Sequence, residues 1–357
     1  MSTAAVKDVY HSIKAALDIF KSSAAATADV PSKQVLLQQA ERVKTDAAKI
    51  GLMCSGDTPP ADQLAGLAHS LQQSVVAFCS SCHSLTAVAG PTLKKALVKL
   101  AQDVVNPCLM LVKEMESGKD LKPHVAMVWD GIAAVSKAPL HNKSCLFKNL
   151  AGVMAVLKDT AREMEELQQE QQVQFGDAEP AAAAAADGSE QQAAAAAEGA
   201  DDDDSECLDG YDGGRMSSIE RQLLDSSLEL VAAATATLKA FGRALLQGGE
   251  LLAGSEVLEG WESCLFHCRH LQRAVEDLGA AVYAPQDFEE VASASLAVFE
   301  VTELMADECP DADAVGAEQL SSLAAQLTAA HERLQELLAQ AQQEANNEGE
   351  EGEEEQQ

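Results

Sequence analysis

Residues 64–85 read LAGLAHSLQQSVVAFCSSCHSL, and the register of this stretch decides the fold. Leu64, Leu67, Leu71, Val75, Phe78, Cys82 and Leu85 advance by three or four residues, which places them on one face of a helix with 3.6 residues per turn. The same stretch contains Cys79-Ser80-Ser81-Cys82-His83, the Cys-x-x-Cys-His pattern that elsewhere attaches a c-type haem. At about 100° per residue, Cys82 falls on the centre line of the stripe, Cys79 about 60° from it and His83 at its edge, about 100° away. That register makes the two thiols core residues, because free cysteine packs as a small hydrophobe. Haem attachment would instead need both sulfurs and His83 around one large pocket.

The spacing of three and four recurs along the chain. Val6, Val9, Ile13, Leu17 and Phe20 predict a first helix, and a second is expected after Pro31. Gly56 to Pro60 break the chain before the helix quoted above. Gly90-Pro91-Thr92 opens a fourth helix, which Pro107 is expected to kink or divide. A shorter helix covers Val125 to Val135, and Asn142 is expected to cap the next, whose face is Leu150, Val153, Leu157, Ala161, Met164 and Leu167. Ser217-Ser218-Ile219-Glu220 has capping-box spacing and opens a helix with Leu224, Leu228, Val231, Ala234, Leu238, Phe241 and Leu245 on one stripe. A further stripe runs from Val257 through Trp261, Cys264, Cys268, Leu271, Val275 and Leu278 to Val282. The last helix carries Leu320, Leu323, Leu327, Ala330, Leu334, Leu337 and Ala341.

The expectation is an all-α protein of two antiparallel helical bundles, residues 1–173 and 215–343, joined by an acidic, Ala-rich disordered linker over 174–214. A disordered acidic tail follows at 344–357. Composition agrees: of 357 residues, 13 are aromatic, and Ala, Leu, Glu, Gln and Lys are abundant, side chains that lose little rotamer freedom in a helix. The linker, with its alanine runs and Asp201 to Asp204, has no apolar face to bury. The last stripe holds for about three heptads and reads as a bundle helix, with weak dimerisation through residues 320–341 as the other reading.

Charge narrows the function. Residues 1–175 hold 18 basic and 17 acidic residues, whereas residues 176–357 hold 7 and 40, within a net charge of −32. Such a chain repels polyanions, so neither direct nucleic-acid binding nor an anionic membrane surface is expected. The first 20 residues lack the apolar core of a secretory signal, and nine scattered cysteines suit a reducing compartment, so a soluble intracellular protein with free thiols is expected.

No nucleophile elbow, phosphate loop, His-Glu-x-x-His or dinucleotide fingerprint occurs. No catalytic residue, cofactor or metal is therefore assigned. Cys264-Leu265-Phe266-His267-Cys268-Arg269-His270 offers Cys264, His267 and Cys268 on one side of a helix, but Cys264 and Cys268 lie on the apolar stripe and a structural zinc would need a fourth ligand. Lys94, Lys95 and Lys99 form the nearest approach to a basic patch and are the candidate partner-binding residues, against the plain reading of an exposed face. Ser205, after four aspartates, is a candidate phosphorylation site.

Four short motifs carry a resemblance. Gly90-Pro91-Thr92-Leu93-Lys94-Lys95, Val128-Trp129, Asn142-Lys143 and the run from Leu157 to Glu166, LKDTAREMEE, resemble in kind and order the corresponding parts of the cyclin-D-binding protein family. The acidic interruption and second helical block resemble that family in order and length. The resemblance implies a two-part helical protein without catalytic activity that binds D-type cyclins or associated transcriptional regulators in cell-cycle control, in cytoplasm and nucleus. CSSCH and the alanine-rich linker are departures from the family pattern. Two other readings stay open: a helical-bundle cytoskeletal adaptor of the vinculin and α-catenin type, and a metal or redox protein using Cys79 and Cys82 or Cys264 and Cys268.

Overall fold

The computed structural model describes residues 4–22, 24–25, 29–55, 59–115, 119–176, 216–310 and 315–354. Among these, ten α-helices and no strands are found, so the chain is all-α as its periodicity requires. The helices are α1 (Ala4–Ala15), α2 (Lys33–Met53), α3 (Ala61–Leu85), α4 (Pro91–Glu114), α5 (Lys122–Lys137), α6 (Asn142–Gly176), α7 (Ser218–Gln247), α8 (Glu256–Ala281), α9 (Phe288–Asp307) and α10 (Ala317–Glu354). The linker expected at 174–214, with Ser205, lies outside the described residues apart from the end of α6.

Local signals place the helix ends. Ser32, directly after Pro31, caps α2, its hydroxyl accepting from the Val35 N–H. The capping box at α7 is formed: Glu220 accepts from the Ser217 N–H at 2.7 Å, and the Ser217 hydroxyl accepts from the Glu220 N–H at 3.2 Å. Two expectations are corrected. Pro107 does not divide its helix, because α4 runs unbroken through it to Glu114 with Pro107 buried. Asn142 starts α6, but its side chain serves other segments, as described below.

Compactness groups the chain into two units, each drawing on early and late sequence. The first comprises Met1–Val153, Leu238–Arg269 and Leu304–Leu320. Its core is built from α1 to α5, with Ile13, Leu36, Ile50, Leu71, Phe78, Leu93, Leu97 and Leu111 fully buried. Helix α2 packs on α3 and α5, and α4 packs on α1, α3 and α5. Within this unit α2 and α5 run antiparallel: Gly51 meets Val125, while Leu37 and Lys44 share a groove with Ser136 and Trp129.

The second unit comprises Met154–Thr237, His270–Glu303 and Ser321–Gln357. Gly279 on α8 faces Thr160 on α6 so closely that a Cβ there would lie 2.5 Å from the Thr160 methyl. Phe299 stacks on His331 with ring centroids 4.3 Å apart. In α10 the buried residues are Leu323, Leu327, Ala330, Leu334, Leu338 and Ala341, so Leu338 takes the place expected of Leu337. This seam is covered within the chain, and a dimer through it would first have to release those residues. Helical backbone continues to Glu354, past Ala341, the last buried member of the stripe, into the stretch expected as an acidic tail.

Candidate functional site

The thiols were the first candidates, and the structure places them in the core. Cys79, Cys82 and Cys108 are fully buried, and burial pushes the Cys79 thiol up to about 12 and the other two higher. Proximity to Cys79 adds to the rise at Cys82 and Cys108. Burial thus holds these thiols in the protonated form at neutral pH, which withholds the thiolate that a nucleophile needs. His83 sits at the rim, its Nε2 3.0 Å from the Ser22 carbonyl and its ring edge-on to Phe20. In a thiol-labelling assay, Cys79, Cys82 and Cys108 should remain unmodified by a charged disulfide reagent in buffer and react fully in denaturant. Fast labelling of any of them in the folded chain would show that the helix register described here is wrong.

At the second cluster, the neighbouring Cys268 side chain and then burial raise the Cys264 thiol. His267 turns away from them, its Nε2 3.0 Å from a Glu308 carboxylate oxygen that also accepts from the Ser263 hydroxyl at 2.7 Å. The Ser263 bond holds the Glu308 carboxyl below its ordinary range, with His267 adding to the effect. Among the described residues no group of three or more His, Cys, Asp or Glu side chains gathers as a metal ion needs. The residues present therefore do not fit the zinc geometry that their spacing suggested.

Lys95 and Lys99 stand exposed on α4 and Lys94 is half-buried. Lys99 forms an i,i+4 ion pair with Asp103 at 2.9 Å, which offsets its charge.

The motifs Gly90-Pro91-Thr92 and Asn142-Lys143, far apart in sequence, meet. Gly90 donates its N–H to Asn142 Oδ1 at 2.7 Å, and Asn142 Nδ2 donates to the carbonyls of Val88 (3.0 Å) and Leu251 (2.9 Å). At the N-terminus of α4, where backbone N–H groups lack helical partners, Glu262 accepts from the Thr92 N–H at 2.9 Å and from its hydroxyl. A Cβ on Gly90 would lie 2.9 Å from the end of the Leu258 side chain and 3.0 Å from the Glu262 carboxylate, so a larger residue would push both aside. Lys143 Nζ donates to the Gly248 carbonyl just beyond the end of α7 at 2.7 Å. These residues latch the first unit together.

Val128-Trp129 divides between two roles. Val128 is buried, whereas Trp129 is 45% exposed, unlike Trp261 at 2%. Trp129 stands in a groove of roughly 380 Å³ between α2 and α5, lined also by Leu37, Ala40, Glu41, Lys44, Ile132 and Ala133. Lys44 Nζ lies 5.5 Å from the centre of the indole and 3.5 Å from Glu41. Sequence reasoning missed this site because a lone tryptophan in an apolar helix reads as core. The available signal was register: Val128, Ile132 and Val135 mark the buried face of α5, and Trp129 stands about 100° from Val128.

Fold and site together define an all-helical protein whose distinctive surface is a groove with a half-exposed aromatic side chain. Residues 35–170 match the N-terminal domain of the family described as Grap2 and cyclin-D-interacting, and residues 200–307 match its C-terminal domain. The chain belongs to that family. It is similar to the cyclin-D1-binding protein 1 homolog of Danio rerio, with 23% identity over 267 residues, 71% of this chain and 70% of that protein.

Proposed function

We propose that the chain is a non-enzymatic binding protein that engages a D-type cyclin and acts in cell-cycle control, in cytoplasm and nucleus. The observation that carries this reading is the family match over both sequence halves, to domains described as cyclin-D-interacting. A relative named for binding cyclin D1 supports it. The mechanism is occlusion: a helical surface of the chain covers a segment of the partner, and the acidic stretch at Asp201 to Asp204 steers charged partners more than it adds affinity.

The test is retention of a recombinant D-type cyclin on immobilised full-length chain. Retention that withstands washing at physiological salt is expected. If the cyclin passes through while actin or a junction protein from the same lysate is held, the cytoskeletal adaptor reading replaces this one. Imaging of the tagged chain should place it in both compartments, and exclusion from either would remove that part of the reading.

A further inference from the structure

We infer that the α2/α5 groove centred on Trp129 is a docking site for an acidic amphipathic peptide segment of a partner protein, with a large apolar side chain of that segment seated against the indole. The inference deepens the binding reading above by naming a surface and the chemistry it recognises, and it rests on that reading for its biological setting.

Packing explains Val128 but leaves Trp129 45% exposed. A half-exposed tryptophan beside aliphatic walls is the kind of anchor on which protein interfaces concentrate their affinity. Leu37, Ala40 and Ile132 supply those walls, while Ala133 and Ser136 are small enough to leave the space open. Lys44 lies over the ring and fixes its orientation, so little rotamer freedom is left to lose on binding.

Charge selects the occupant. The chain as a whole carries −32, yet α2 holds four Lys or Arg against two Asp or Glu, and α5 holds two against one. Two of the three acidic groups are already matched on α2, Glu41 by Lys44 and Asp46 by Lys49. Arg42 lines a separate pocket against α3, but Lys33, one turn before Leu37, Lys122, two turns before Trp129, and Lys137, one turn after Ala133, share the register of the groove and outnumber Asp130, which favours carboxylates flanking the apolar anchor and disfavours a basic segment. A groove of this size takes one or two side chains, which suits a peptide better than a nucleic-acid backbone.

The experiment uses the full-length chain and its own fluorescence. With Trp261 2% exposed, acrylamide quenching reports mainly on Trp129. The probe is a synthetic 14-residue peptide of glutamates with leucine at every third or fourth position, compared with the same peptide carrying lysine for glutamate. The acidic peptide should shield Trp129 from acrylamide and shift its emission to the blue. Its affinity should fall at least tenfold with Trp129→Ala and with Lys44→Glu, and largely return with Trp129→Phe. Each variant is checked by its melting temperature, which should be unchanged for these surface positions.

Unaltered quenching, equal binding of the lysine peptide, or full affinity in Trp129→Ala overturns the inference. Protection of Trp129 by an oligonucleotide but not by the peptide would also overturn it. So would protection in the free chain that deletion of residues 201–212 abolishes, since the occupant would then be the chain's own acidic segment. A D-type cyclin held equally by wild type and Trp129→Ala removes the groove but keeps the cyclin reading. A groove that takes the acidic peptide in a chain that holds no cyclin removes the cyclin reading alone.

Discussion

Replacing Gly131 with alanine is expected to destabilise the protein by roughly 2–3 kcal/mol, the upper part of the range for overfilling a packed site. Pro107 has no N–H, so the carbonyl of Asp103, four residues earlier on α4, loses its helical partner. Gly131 of α5 seats its bare Cα against that oxygen: a Cβ there would lie 2.4 Å from Asp103 O and 3.1 Å from its carbonyl carbon. Both are backbone atoms, so relief requires α4 and α5 to separate along a shared buried surface that includes Val104, Val128 and Val135. Alanine's better helix propensity returns only about 1 kcal/mol. The melting temperature should drop by roughly 5 °C or more. Gly66→Ala is the control: no atom lies within 4 Å of the added Cβ, and the same propensity gain should leave that variant at least as stable as wild type. Equal melting of Gly131→Ala and wild type would show that the two helices do not meet as described.

The second large effect is expected at Asn142. Its amide satisfies one buried N–H and two carbonyls, from Gly90, Val88 and Leu251, and Asn142 is itself buried. Asn142→Ala strands all three, and at about 1–3 kcal/mol for each buried unsatisfied group a loss of roughly 3–5 kcal/mol follows, after partial relaxation. Asn142→Asp keeps the acceptor for Gly90 but turns a carboxylate oxygen toward two carbonyls, and should be at least as damaging. Lys143→Met removes one half-buried bond to the Gly248 carbonyl and should cost about 1 kcal/mol. Urea unfolding separates these outcomes. If Asn142→Ala unfolds at the same midpoint as Lys143→Met, water has replaced the lost amide and the latch is dispensable.

These two sites show where sequence reasoning reached and where it stopped. The stripe of residues 64–85 was legible because helical periodicity is local. Seven side chains within six turns fix one face, and the burial of Cys79 and Cys82 with His83 at the rim follows from register alone. The Ser217 to Glu220 box was legible for the same reason, since its partners are three residues apart. Asn142 was expected to cap its own helix because only neighbours in sequence are visible from sequence. Its actual partners lie 52, 54 and 109 residues away.

By itself, then, the sequence determined that this chain is helical, where several of its helices begin, and that Cys79, Cys82, Cys264 and Cys268 are core. Those properties depend on side chains within a turn or two of one another. Tertiary structure alone decided that Gly131 would seat against the Asp103 carbonyl, that Gly90 and Asn142 would meet, and that Trp129 would stand in a groove instead of the core. Each depends on which helix lies across from which, and a hydrogen bond or a van der Waals clash is set within a few tenths of an ångström, a precision that no pattern of apolar spacing encodes.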